Sequence, residues 1–202
     1  MAISLAATVD RPAVRREPAG EYPLGIRCVA EFAGTAFLLL AVVGSGIQAH
    51  RLSPHDTGLA LLENSVATGA ALVALILALG PVSGAHFNPV VTAVDVALGR
   101  RPRSTLVPYV LAQFAGGAVG VLAANAMFGL PLVAVSRHHR SSAGLWLAEA
   151  VATFGLLMVI LCVVRAGNAR AAGYAVGAYI TGAYWFTSST SFANPAVTRC
   201  AP

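Results

Sequence analysis

Two stretches decide how this chain is read: Ser83-Gly84-Ala85-His86-Phe87-Asn88-Pro89-Val90-Val91-Thr92 and Ser191-Phe192-Ala193-Asn194-Pro195-Ala196-Val197-Thr198. Each sets an Asn-Pro pair at the far end of a long apolar run and follows it with small aliphatic residues. Asn caps helix N-termini well, and Pro is favoured at the first helical position because its missing N–H would have had no partner there. Each copy therefore predicts a helix starting abruptly at Asn. In a chain this apolar, those helices begin where a membrane helix ought to continue.

Of the 202 residues, 57% are hydrophobic and 10% charged, and the mean hydropathy is +0.73. A soluble domain of this length needs far more charge to cover its surface. Several apolar runs reach roughly 20 residues, the length that crosses a bilayer core, so the fold class is an all-α membrane protein whose partner is the lipid bilayer. A net charge of +5 could suggest nucleic acid, but there is no Lys and the 13 Arg stand at the ends of apolar runs. That placement sets topology and does not make a phosphate-binding patch, so no nucleic-acid partner is expected. Cys28, Cys162 and Cys200 lie far apart without metal-ligand spacing, and the first two are expected as buried small hydrophobes. No metal and no cofactor is expected.

Residues 1–27 are polar and Arg-bearing and are expected to form a tail, followed by a membrane domain over 28–202. Within that domain, spans are predicted at about 28–49, 60–80, 106–129, 144–164 and 172–187, with Pro81 and Ser83-Gly84 interrupting the second. From Asn88 to Leu98 runs a helical stretch of 11 residues, about 16 Å at 1.5 Å per residue and so half a bilayer. Arg100-Arg101-Pro102-Arg103 closes it at an aqueous face. The segment from Pro81 to Asn88 is thus expected to enter the membrane and the half-helix to return, a re-entrant element. Nine Arg (Arg11, Arg15, Arg16, Arg27, Arg100, Arg101, Arg103, Arg165, Arg170) fall on one side and Arg51, Arg137 and Arg140 on the other. The positive-inside rule then puts the N-terminus in the cytoplasm of a multi-pass cell-membrane protein.

The two halves repeat. Glu31-Phe32-Ala33-Gly34-Thr35 is similar to Glu149-Ala150-Val151-Ala152-Thr153, and each Glu is followed, 57 and 45 residues on, by its Asn-Pro. A first repeat over about 28–129 places three spans ahead of an incomplete second over about 144–202, and that odd number inverts the second copy. Two half-helices then meet near the midplane with their N-termini inward. Their positive dipole ends and the side-chain N–H groups of Asn88 and Asn194 suit a neutral hydrogen-bonding solute and oppose cations. Backbone carbonyls of the lead-in loops (84–87 and 189–193) are expected to supply the acceptors.

On these motifs, Glu31-x-x-Gly34-Thr35, Ser83-Gly84-Ala85-His86-Phe87-Asn88-Pro89-Val90, Glu149-x-x-x-Thr153-Phe154 and Asn194-Pro195-Ala196, the sequence resembles the major intrinsic protein family of aquaporins and glycerol facilitators over about residues 28–198. The resemblance implies an aquaporin-like inverted repeat with two re-entrant half-helices. It also implies a homotetramer with one pore per subunit, passing water or small uncharged solutes without energy coupling. It makes Asn88, Pro89, Val90, Asn194, Pro195 and Ala196 the pore constriction. It carries four selectivity positions onto Thr68, Gly182, Ser191 and Val197. Where water channels and glycerol facilitators generally hold Arg, this chain holds Val197, and where water channels carry bulky aromatic and His side chains it has Thr68 and Gly182. The implied pore is broad and neutral, fit for glycerol or metalloid hydroxides such as arsenite.

Glu31 and Glu149 sit inside apolar spans, where a carboxylate is costly; proton transfer is one reading, and a buried acceptor for the N–H groups of the lead-in loops is the favoured one. His86 is expected to pack and hydrogen-bond beside the half-helix in a structural or gating role. No catalytic residue is assigned, because neither Ser45 nor Ser83 has a Gly-x-Ser-Gly setting or a second in-span His opposite. The family's sixth span has no counterpart after Asn194, where eight residues end in Thr198-Arg199-Cys200-Ala201-Pro202. The expectation is a C-terminally truncated or frame-shifted chain, either a channel or, alternatively, a non-conducting remnant or interaction subunit.

Overall fold

The structure, a computed structural model, describes residues 22–132, 142–189 and 193–200, with side chains as far as Thr198. The 1–21 part of the tail, Ser191 and the Arg137-His138-His139-Arg140 loop lie outside the described residues. All regular structure among the described residues is helical: α1 (Leu24–Leu52), α2 (Thr57–Ser83), α3 (Pro89–Ala97), α4 (Leu106–Met127), α5 (Ala143–Arg165), α6 (Ala172–Phe186) and α7 (Pro195–Cys200). Short 3-10 turns, Arg103–Thr105 and Ala169–Ala171, lead into α4 and α6.

Among the described residues, four stretches are long and apolar enough to cross a membrane: α1, α2, Arg103–Met127 with α4, and α5. At 15 residues, or about 22 Å, α6 is shorter than the usual span. The half-helix predicted over 88–98 is the nine-residue α3, with Asn88 as its N-cap. Two expectations are corrected. Pro81 does not interrupt α2, which runs through it to Ser83 and ends at Gly84, whose φ of 91° only Gly adopts without strain. The ring of Pro81 removes one donor in the final turns, where the helix has little left to lose. The start of the first span also moves: α1 begins at Leu24, so Arg27 belongs to a helix and is only 8% exposed.

α1 packs against α2 and α4, α2 crosses α6, and α5 lies on α6. Small residues set these distances, as they do where lipid leaves no hydrophobic force between helices. A Cβ on Gly116 or Gly120 of α4 would strike the backbone carbonyls of Phe32 or Ala36 on α1. One on Gly177 of α6 would lie 2.6 Å from the Gly69 carbonyl on α2. Burial is uneven: half of the apolar window of α1 is inside the bundle and 11% of that of α5. α5 turns Trp146, Leu147, Phe154 and Met158 outward, and Cys162, expected buried, is exposed there as well.

A backbone carbonyl cannot move aside as a side-chain end can. Gly120→Val is therefore expected to lower stability by ~1–3 kcal/mol in thermal unfolding of the detergent-purified protein. Gly25→Ala, where an added Cβ meets nothing within 4 Å, leaves it unchanged.

Candidate functional site

The two Asn-Pro stretches meet in the interior. Asn88 caps α3 from extended backbone (φ −151°, ψ 121°), and its Oδ1 accepts from the Val90 N–H at 2.9 Å. Its carbonyl accepts from Thr92 N–H at 3.0 Å and from the Thr92 hydroxyl at 3.1 Å. Asn194 repeats this arrangement. Its Oδ1 accepts from Ala196 N–H at 3.0 Å, and its carbonyl accepts from Thr198 N–H at 3.0 Å and the Thr198 hydroxyl at 3.1 Å. With both acceptors turned to their own helices, the side-chain nitrogens are free to face each other's loops. Asn88 Nδ2 donates to the Ala193 carbonyl and Asn194 Nδ2 to the Phe87 carbonyl, both at 2.7 Å. One N–H of each amide is used in this exchange, and neither nitrogen makes a second bond among the described residues.

The residues before the two asparagines share an unusual backbone: Phe87 has φ 48° and Ala193 φ 45°. Non-Gly residues in the left-handed region cost about 1–2 kcal/mol, so something must hold them there. The glutamates do. Glu31, fully buried, takes four donors: Ser83 Oγ at 2.6 Å, His86 N–H at 3.0 Å, Phe87 N–H at 2.7 Å and Gln113 Nε2 at 2.8 Å. Glu149, half-buried, accepts from Ala193 N–H at 2.9 Å. Each carboxylate thus holds the strained N–H whose carbonyl the opposite asparagine reads. Charge-assisted bonds of this kind are the strong ones, and in a membrane interior no water competes for them.

His86 stands at the edge of this network. Its Nδ1 is 3.1 Å from Thr92 Oγ1 and its Nε2 is 3.4 Å from Asp95 Oδ2, with Arg101 Nε 3.2 Å from the same carboxylate. Tyr109, fully buried on α4, donates to the Ser83 carbonyl and accepts from Arg27 Nε, both at 2.9 Å. Gln113, Tyr109 and Asp95 were not singled out in the sequence. Gln113 carried a signal, since a lone amide inside an apolar span needs a partner; Tyr109 and Asp95, near the ends of their helices, carried none.

The remaining positions separate. Pro89 and Val90 line an apolar groove between α3 and α4 with Ala93, Leu106, Val107, Val110 and Leu111, whereas Ala196 and Val197 are buried at 0% and 4% exposure. Thr68, 2% exposed, meets the Tyr184 hydroxyl at 3.2 Å, and a Cβ on Gly182 would have open space within 4 Å. Two residues apart on a helix is about 200°, so Gly182 lies on the opposite side of α6 from the Tyr184 that touches Thr68.

Gln at position 31 would turn an N–H₂ group toward donors that need an acceptor. Glu31→Gln is expected to cost ~1–3 kcal/mol of stability and Glu149→Gln less, because Glu149 is half-exposed; thermal unfolding in detergent compares them.

The family described as "Major intrinsic protein" matches residues 23–198. Among curated relatives, "Aquaglyceroporin AqpS" of Rhizobium meliloti (strain 1021) is 51% identical over 177 residues, covering 88% of this chain and 75% of the relative. "Aquaporin NIP1-2" of Arabidopsis thaliana is 31% identical over 166 residues, covering 76% of this chain. "Aquaporin AqpM" of Methanothermobacter thermautotrophicus is 32% identical over 158 residues, covering 67% of this chain. The chain spans 55% and 63% of the length of those two relatives. With the capped asparagine pair, its two glutamate supports and a match over most of its residues, the chain belongs to the major intrinsic protein family.

Proposed function

We propose that this chain forms a passive membrane pore for water and small uncharged solutes, with Asn88 and Asn194 as its midplane constriction. The observation that carries this reading is the crosswise bonding of the two amides at the starts of α3 and α7. It fixes both side chains and leaves each with one N–H for a solute oxygen. The Phe87 and Ala193 carbonyls, each accepting one bond, keep a lone pair as acceptors beside those donors. A cation at this point faces amide donors and the N-terminal end of α3 and finds no carboxylate turned toward it, since Glu31 and Glu149 bond the loops from behind.

The solute class follows from residues away from the midplane. Thr68, Gly182, Ser191 and Val197 carry no fixed charge and little bulk, which favours a broad neutral passage for glycerol or a metalloid hydroxide over a strict water filter. The naming of one relative as an aquaglyceroporin agrees with this. The pore reading also brings a homotetramer with one pore in each subunit, a cell-membrane location and a cytoplasmic N-terminus, the last from the surplus of Arg at one end of the spans.

Stopped-flow measurements on proteoliposomes test the proposal. Glycerol and arsenite are expected to enter faster than into empty vesicles; water flux without either solute overturns the broad-pore reading. Placing a bulky cation in the passage through Val197→Arg should cut glycerol flux about tenfold, as for a barrier raised by ~1.4 kcal/mol, with a smaller effect on water.

A further inference from the structure

An open groove of about 450 Å³ lies between α3 and α4, with Val90 and Ala93 on one wall and Leu106, Val107, Val110 and Leu111 on the other. Every side chain that lines it is apolar. Val107 and Leu111 are 64% and 65% exposed, so no described residue covers the groove.

The α4 wall leads to a positive charge. Side chains at i, i+3 and i+4 share a helix face, and those at i and i+3 of a 3-10 turn eclipse. Arg103 opens the 3-10 turn that feeds α4, so it stands one turn before Leu106 and Val107, on the face that walls the groove. Its side chain is exposed and has no hydrogen bond or ion pair among the described residues. Asp95 of α3 is already shared: it meets Arg101 at 3.2 Å, His86 at 3.4 Å and Arg100 at 3.9 Å. Arg100, Arg101 and Arg103 against one carboxylate leave a positive surplus where α3 ends and α4 begins.

Length agrees with charge. The nine residues of α3 extend about 13 Å, close to the roughly 15 Å of one leaflet in a 30 Å hydrocarbon core. Pro89 and Val90 at its start line the groove, and its other end turns into the arginines. We infer that this groove holds an acyl chain of one anionic phospholipid, with Arg103 on the phosphate. The planar guanidinium suits a phosphate, and the positive surplus favours a head group of net negative charge over one that carries its own cation. The groove between α1 and α2, lined by Phe37, Leu40, Ala41, Ala71, Ala74 and Leu75, lacks such an end. On α1, Arg27 and Arg51 stand about three turns beyond Phe37 and Ala41, and α2 has no Arg. The site depends on the membrane-spanning bundle alone and not on conduction.

Native mass spectrometry of the detergent-purified chain, given equal phosphatidylglycerol and phosphatidylcholine with the same acyl chains, reads the site. The parent should retain one phosphatidylglycerol about fivefold more often than one phosphatidylcholine, the factor for one Arg at a membrane surface. Arg103→Gln, at an exposed position, should bring that ratio close to one. Ala93→Phe should fill the groove and lower retention of both lipids. Ala74→Phe, in the groove between α1 and α2, should leave the preference as it is. Equal retention of the two lipids by the parent, or a preference that survives Arg103→Gln, overturns the inference. A parent that retains no lipid overturns it as well; where Ala93→Phe also splits an assembly of copies, a second copy fills the groove instead.

Discussion

Two hydrogen bonds between side-chain amides and backbone carbonyls hold the rest of this structure in place. Asn88 and Asn194 each cap their own helix with oxygen and reach across with nitrogen to the residue preceding the other. The exchange requires both carbonyls to be turned inward, which the left-handed backbone at Phe87 and Ala193 accomplishes. A substitution that shifts one loop removes an acceptor from the other half of the molecule. The two loops are therefore one unit, although more than one hundred residues separate the partners along the chain.

Behind this unit, burial demands complete accounting of polar groups, since an unmet donor in a membrane interior has no water to turn to. Glu31 meets that demand for the first loop and draws Ser83, Gln113 and, through the Ser83 carbonyl, Tyr109 and Arg27 into one network. The second loop is held by Glu149 at a more open position on a helix that is itself mostly outward-facing. The inverted halves are thus alike in chemistry and unlike in enclosure. The first loop is set within α1, α2 and α4, and the second leans on α4 and on a single face of α5.

Much of this was legible in the residues. The Asn-Pro pairs announced helix starts because Asn and Pro have a physical preference for those positions, and both asparagines are caps. The repeated Glu suggested acceptors for the loops, since a carboxylate in an apolar span must find donors, and both carboxylates accept loop N–H groups. Pro81 misled, because a proline in the last turns of a helix breaks little, and Gly84 with its positive φ is the true end of α2. Tyr184 was passed over, since an aromatic residue near the end of an apolar helix has no pattern to distinguish a polar partner from lipid.

By itself the sequence determined the all-helical membrane character, the two abrupt helix starts, the inverted repeat and the family, because hydropathy, capping preference and spacing are properties of neighbouring residues. Only the tertiary structure decided which groups serve one another. The crosswise asparagine bonds, the four donors on Glu31, the His86–Asp95–Arg101 contacts and the meeting of Thr68 with Tyr184 all join residues from different elements. Such pairings depend on how close the helices come, and that distance is set at the glycine contacts between α1 and α4 and between α2 and α6, where an absent side chain allows backbone to meet backbone.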